Sequence, residues 1–318
     1  MLYRRLGNTD IQCSVIGLGA WAIGGDSYGE VDDKASIDAI KAAVDAGINL
    51  IDTAAVYGSG HSEEVIGLAL KQLDRSKVVV ATKFGNWRSP DGGYYRDASP
   101  AMLRKGLEES LTRLQTDYID LYQWHWPDPT LPISESIVEI AKMLEEGKIR
   151  AVGVSNFSCE QMDEVRKYVP LASLQPPYSL LDRAFEKELL PYCRENNIGV
   201  LSYGSIGGGV LSGKYTRDNL PSFEAMDART RIYGNIFSAQ SWSKAIDMVD
   251  VLRDIAAARG AQTVHAAINW VLAQQGVTCA LVGAKTVAQV EMNAKAADWQ
   301  MSAEELARVE AAYAKIFE

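Results

Sequence analysis

The chain has 318 residues, 47% of them hydrophobic and 23% charged, with a formal net charge of −9. This is the make-up of an ordinary globular protein with enough chain to bury a sizeable core, and its acidity argues against nucleic acid or an anionic membrane as partner. Four scattered cysteines without a CxxC, three histidines with no two adjacent, and no apolar run of about 18 residues argue against a disulfide framework, a metal site and a membrane span.

The chain opens Met1-Leu-Tyr-Arg-Arg and passes straight into polar sequence with no apolar signal segment. Together with the cysteine usage, this predicts a cytoplasmic protein. Residues 3–14 carry two short segments around Gly7-Asn8, which predicts a β-hairpin ahead of the main fold. Short apolar runs then recur at residues 15–18, 48–51, 78–81, 118–122, 151–154, 171–174, 199–202 and 279–282, giving eight strand candidates. Helical patterns separate nearly all of them. They span 34–46, stopped by Gly47; 63–73; a helix to residue 114 with Ser99 as N-cap and Pro100 in its first turn; 134–146, stopped by Gly147; and 185–196. Capping boxes stand at Ser158-Cys-Glu-Gln161 and Ser302-Ala-Glu-Glu305.

One gap is long. Between Tyr203 and Cys279 lie a Gly-rich loop, a polar segment with Arg229 and Arg231, and helical patterns at 241–258 and 263–274. Strands alternating with helices imply parallel pairing through right-handed crossovers. Eight such units predict an α/β fold of the (β/α)8 TIM-barrel type. It forms a single domain over residues 1–318, with the N-terminal hairpin and extra C-terminal helices. A long insertion after strand 7 is where such barrels build a phosphate site.

In a barrel of this kind chemistry gathers at the carboxyl ends of the strands. Four residues there can ionise in a useful combination: Asp52 after strand 2, Tyr57 in the following loop, Lys83 at the end of strand 3 and His125 at the end of strand 4. A lysine following an apolar run is costly to bury unless paired, and Asp52 on the adjacent strand is its natural partner. An ammonium near a phenol favours phenolate. Tyr57 could then give a proton to a carbonyl oxygen near neutral pH and take it back in reverse, with His125 orienting the carbonyl. Singly, each also reads as packing or a core ion pair; together, at the mouths of three neighbouring strands, they read as a site.

This set, in this order, resembles the aldo-keto reductase family. The match runs from Gly17-Leu-Gly-Ala-Trp21 through Asp52-Thr-Ala-Ala-Val-Tyr57-Gly, Leu-Tyr-Gln-Trp-His125-Trp-Pro and Gly153-Val-Ser-Asn-Phe157. It continues through Gln175-Pro-Pro-Tyr-Ser179 and Gly213-Lys-Tyr215 to Gly283-Ala-Lys285, and is most similar to the bacterial and potassium-channel β-subunit-like branch. The resemblance implies an NADP-dependent reductase of aldehydes and ketones, reversible toward alcohol oxidation. Tyr57 would be the general acid, tuned by Lys83 and Asp52, and His125 would orient a small carbonyl substrate between Trp21 and Trp126. It also implies a cofactor site for NADPH or NADP+, with NADH less favoured. Ser155, Asn156 and Gln175 would hold the carboxamide and Tyr203 would stack on the nicotinamide. Ser205, Ile206, Gly207, Gly209, Leu211, Gly213 and Lys214 would wrap the pyrophosphate. Gly283, Lys285, Thr286, Gln289 and Asn293 would face the adenosine end, and Ala20, Trp21 and Asp52 complete the contacts.

Three places depart from the family pattern: the tripeptide Gly204-Ser205-Ile206 stands for Ser-Pro-Leu, Met292 for a Glu and Thr286 for an Arg. Thr286-Val-Ala-Gln289 reads both as a capping box and as a helix start able to hold a phosphate beside Lys285, with help from Arg229 or Arg231. A Rossmann dehydrogenase is disfavoured because Gly17-Leu-Gly19 does not continue as G-x-G-x-x-G. A short-chain reductase is disfavoured because no Tyr has a Lys four residues later. The alternative is an NADPH-binding redox-sensor or scaffold barrel with little turnover. Substrate identity and the choice between monomer and homo-oligomer stay open.

Overall fold

The computed structural model describes residues 1–25, 28–89, 91–222 and 227–317. The chain begins with an antiparallel hairpin, β1 (Tyr3–Arg5) and β2 (Gln12–Ser14). The barrel follows with β3 (Ile16–Gly19), β4 (Leu50–Asp52) and β5 (Val79–Phe84). A second antiparallel pair, β6 (Asn86–Arg88) and β7 (Tyr94–Arg96), then leaves the barrel at its carboxyl end. The barrel resumes with β8 (Leu121–Trp124), β9 (Val152–Ser155), β10 (Leu171–Gln175), β11 (Gly199–Ser202) and β12 (Val277–Gly283). All eight barrel strands pair in parallel with their sequence neighbours, and β12 closes on β3.

The helices are α1 (Asp33–Asp45), α2 (His61–Leu70), α3 (Pro100–Leu114), α4 (Ile133–Glu145), α5 (Cys159–Arg166) and α6 (Leu189–Glu195). They continue as α7 (Ala228–Tyr233), α8 (Ala239–Ala258), α9 (Thr263–Ala273), α10 (Val287–Ala294) and α11 (Ala303–Phe317). None is long and apolar enough to cross a membrane among the described residues.

Two expectations change. Ser99 occupies the N-cap of α3 but its side chain makes no capping bond; Asp97 Oδ1 accepts from the Ser99 N–H at 2.9 Å instead. The pattern at 185–196 splits into a short turn (Ala184–Glu186) and α6. The reason is Pro191. In a helix running from 185 its ring would meet the carbonyl of Lys187, whereas in α6 it falls in the first turn, where no amide partner is needed.

Side chains alternate across each strand, which separates two cores. Ile51, Val80, Tyr122 and Val152 face the helices, while Leu50, Ala81, Leu121 and Leu201 fill the barrel. The same alternation puts Asp52, Lys83 and Gln123 on the inner face, one layer above Leu50, Ala81 and Leu121. Below, the hairpin seals the amino end. Leu6 is fully buried in the inner cluster, and the Arg4 guanidinium donates to the carbonyls of Val277 (2.5 Å) and Leu272 (3.0 Å).

Gly7, at φ +51°, lies so close to the barrel floor that an added Cβ would stand 2.3 Å from the Ala172 carbonyl oxygen. Gly7→Ala is therefore expected to lower the unfolding free energy by about 2–4 kcal/mol, from left-handed strain plus overpacking. Urea denaturation measures this, and a loss within about 0.5 kcal/mol would show that the plug can shift freely.

Candidate active site

At the carboxyl end of the barrel the inward layer becomes polar. Lys83, 1% exposed, donates to Asp52 Oδ1 at 2.5 Å, to the Thr53 carbonyl at 2.9 Å and to the Tyr57 hydroxyl at 3.2 Å. Register makes this pairing: Asp52 lies opposite Ala81 across β4 and β5, so the next inward residue of β5, Lys83, stands directly above it. The other Asp52 oxygen accepts from Gln123 Nε2 (2.9 Å) and Gln175 Nε2 (2.7 Å). The carboxylate is thus matched on both oxygens, as a buried charge requires. Gln123 was not anticipated; its inward place between Asp52 and Gln175 is the signal that alternation along β8 carried.

Burial pulls the Lys83 ammonium below the usual lysine range, with the Asp52 carboxylate acting in the opposite direction. His125 ends β8, its amide held by the Phe84 carbonyl at 3.0 Å. Its ring meets that of Tyr57 edge-on, 5.8 Å between centroids. Crowding by protein, and secondarily the Lys83 charge, hold its pKa well below the usual histidine value, so the imidazole is neutral at neutral pH. Trp21 stacks on Tyr57 from another side, 5.8 Å between centroids and 21° between planes.

Beside this group Ser155 Oγ donates to the Gln175 carbonyl (2.8 Å), and Asn156 donates to the His125 carbonyl (3.0 Å) and to Ser155 Oγ (2.9 Å). Tyr203 donates to Asn156 Oδ1 at 3.0 Å. A cleft of about 810 Å³ connects these residues with Trp126, Ser205, Ile206, Gly209, Lys214, Gly283, Lys285, Gln289 and Asn293. Its wall suits a flat extended ligand. Gly19 and Gly283 are paired across β3 and β12, and a Cβ on either would meet nothing closer than 3.8 Å, so side chains there would stand in the cleft. With amide and hydroxyl groups at one end and a glycine-lined, lysine-bearing loop at the other, the donor set fits a nicotinamide dinucleotide.

Five expected cofactor residues are not among those lining the cleft, and one of them, Thr286, lies exposed at the start of α10. Ala20 is fully buried, its amide on the Asp52 carbonyl and its carbonyl on Ser62 Oγ. Leu211 is core, Gly207 is buried in the turn, and Gly213 backs onto Thr263. Thr286 caps α10 by accepting from the Gln289 N–H at 3.3 Å, while Gln289 Oε1 accepts from the Lys285 N–H at 2.8 Å. The capping geometry at 286–289 is present, shifted by one residue at its return bond. Lys285 Nζ donates to the carbonyls of Tyr28 (3.1 Å) and Glu30 (3.4 Å). Arg229 is engaged by both oxygens of Asp227, at 2.7 and 2.5 Å. The sequence reading missed the outer wall formed by Tyr28, Asn86, Tyr94, Tyr95, Arg96, Ser212 and Tyr233. Among the described residues no cluster of metal-ligating side chains occurs.

A model described as the aldo/keto reductase family matches residues 15–314. The chain is 43% identical over 308 residues to aldo-keto reductase YhdN of Bacillus subtilis (strain 168), spanning 96% of this chain and 91% of that one. It is 39% identical over 311 residues to the NADH-specific methylglyoxal reductase of Escherichia coli (strain K12), spanning 93% and 94%. Among solved structures, the glycerol dehydrogenase AKR11B4 from Gluconobacter oxydans superposes with a TM-score of 0.91 at 42% identity, covering 99% of this chain and 96% of that one.

The Asp52–Lys83 pair makes a stability prediction separable from activity. Lys83→Met leaves a buried carboxylate without its counter-ion and is expected to cost about 3–5 kcal/mol. In that variant the folded state favours protonated Asp52 and so binds a proton more tightly than the unfolded chain. The deficit should therefore shrink as pH falls toward the ordinary aspartate range. Adding Asp52→Asn should restore most of the loss at pH 7. Urea melts of the single and double variants test this; equal losses in both would mean that Lys83 stabilises by packing alone.

Proposed function

The chain belongs to the aldo/keto reductase family, and from that premise we propose that it reduces small aldehydes and ketones, with Tyr57 passing the proton. That it is an oxidoreductase follows from the family; the roles of individual residues are our reading. The observation that carries it is the Lys83 ammonium, bonded at once to Asp52 and to the Tyr57 hydroxyl.

A phenol gives up its proton more readily when the phenolate left behind faces an ammonium. Asp52 opposes the loss of that charge on burial. Tyr57 then protonates the carbonyl oxygen as negative charge develops on it, and in alcohol oxidation the phenolate takes the proton back. His125, neutral and edge-on to Tyr57, can offer an N–H to the same oxygen without adding a second buried charge. Trp21 and Trp126 flank the position where the carbonyl would lie. When bound, the reduced nicotinamide supplies the hydride to the carbonyl carbon. Ser155, Asn156 and Gln175 would hold its carboxamide, Tyr203 would lie against the ring, and the 205–214 loop would follow the pyrophosphate. One relative is named for methylglyoxal and another for glycerol, so small carbonyls in one direction and small polyols in the other are the natural first probes.

We further propose NADPH as the preferred cofactor, by a modest margin. Lys285 and the amino end of α10 form a cationic corner for a 2′-phosphate. Thr286 and Gln289 are occupied by capping, Arg229 by Asp227, and Arg231 lies over Tyr94 rather than beside α10, so we take Lys285 as the charge that distinguishes the two cofactors.

Tyr57→Phe should lower kcat by about 10²–10⁴-fold while NADPH affinity, read by fluorescence titration, stays near wild type. Wild-type turnover of an aldehyde panel by that variant would end the assignment. A wild-type protein that binds NADPH but turns over none of the panel would favour the redox-sensor alternative. Lys285→Ala should weaken NADPH binding about tenfold, the equivalent of one charge-assisted hydrogen bond, and leave NADH binding nearly unchanged. Equal weakening of both would move Lys285 from the 2′-phosphate to the shared adenosine or to the fold.

A further inference from the structure

The outer cleft holds a feature that carbonyl reduction does not require. Arg96, on β7, lies over the Trp126 ring at 5.3 Å and donates to the Pro127 carbonyl at 3.1 Å. Arg231, in the last turn of α7, lies 4.8 Å from the Tyr94 ring and donates to its hydroxyl at 3.3 Å. Both line the same cleft as Tyr57 and His125. Neither pairs with a carboxylate among the described residues, in a chain that carries nine more negative than positive charges. Asp128 is near enough to Arg96 to sense its charge, but its oxygens already accept from the Ala98 and Thr130 amides and the Thr130 hydroxyl. Arg229, by contrast, is satisfied by Asp227.

A guanidinium held over an aromatic face keeps N–H groups at its edge available to a planar anion. Two such groups line one cleft with no carboxylate partner among the described residues, and a bound carboxylate can accept paired hydrogen bonds from a guanidinium. Trp126 directly follows His125, so the guanidinium on its face sits just outboard of the carbonyl site. We propose that Arg96 and Arg231 form an anion-reading site that selects carbonyl substrates bearing a carboxylate on the end remote from the reacting carbon. The inference rests on the reductase reading above and adds the substrate class to it.

The contact is made in both ground and transition states, so its effect falls mainly on KM. The probes are 4-formylbenzoate and 4-oxobutanoate, each against its methyl ester, which has the same aldehyde without the charge. Wild type should prefer each acid over its ester by about tenfold or more in kcat/KM, carried by KM. The preference should fall in Arg96→Gln and in Arg231→Gln, and approach one in the double variant. A wild-type ratio of one or less, or a ratio that survives the double variant, overturns the proposal while leaving the reductase reading intact.

Should no aldehyde be turned over, the reductase reading fails and the anion site is tested by binding. Calorimetry with NADP+-saturated protein compares 4-(hydroxymethyl)benzoate with its methyl ester. A tenfold advantage for the acid that is lost in the double variant supports the site, and equal affinities overturn it.

Discussion

A lysine ammonium inside a β-barrel is the constraint on which the upper half of this molecule is built. Lys83 is placed there by alternation along β5, one layer above an apolar floor, and cannot reach water. It is tolerable only because Asp52 comes into register beside it, and Asp52 only because Gln123 and Gln175 occupy its second oxygen. Such an ion pair is weak evidence of stability, since two apolar residues of similar volume would often do as well. What it provides is a positive charge at a fixed point in a medium of low polarizability, where its effect on a neighbouring phenol is strongest.

The surroundings of that charge are consistent with it. A second cation in the same space would be costly, and His125 is held neutral by crowding, with Lys83 adding to the effect. The side chains of Tyr203, Asn156 and Ser155 bond in a chain that ends on the Gln175 main-chain carbonyl, and the Gln175 side-chain amide separately donates to Asp52. Few of their orientations are free to vary. A network of this kind fixes geometry because each member is over-determined by its partners.

All eight barrel strands were legible in the sequence because strands buried on both faces appear as short, mostly apolar runs, even where Asp120 and Ser173 interrupt them. The ionisable members of the site were legible for a related reason: Asp52, Lys83 and His125 stand at or near the ends of such runs, and Tyr57 lies in the loop just beyond one. What escaped had weaker signals. β6 and β7 are three residues each and carry Trp, Tyr and Arg on a surface ribbon, with no apolar face to mark them. Gln123 does not ionise, so its residue type carries no mark of the site, although its place on β8 follows from the same alternation. Ala20, Leu211, Gly213 and Thr286 were carried over from motifs. A motif locates a stretch of chain beside a ligand but not which groups face it: here the Ala20 and Leu211 side chains are buried and the Thr286 hydroxyl caps α10, which leaves backbone groups as what a cofactor could meet. The helix pattern at 185–196 was read through a proline whose meaning depends on where the helix begins.

The hairpin under the barrel has a further consequence. With Leu6 driven into the floor and Arg4 fastened to β12 and the end of α9, the amino end of the barrel is stoppered. The cleft at the other end extends from Trp126 and Tyr94 on one side to Lys214 and Lys285 on the other. A plug at the base keeps water from reaching the Lys83–Asp52 pair from below, where it would screen the charge. The field felt by Tyr57 is in this sense protected at the opposite pole, by the first dozen residues of the chain.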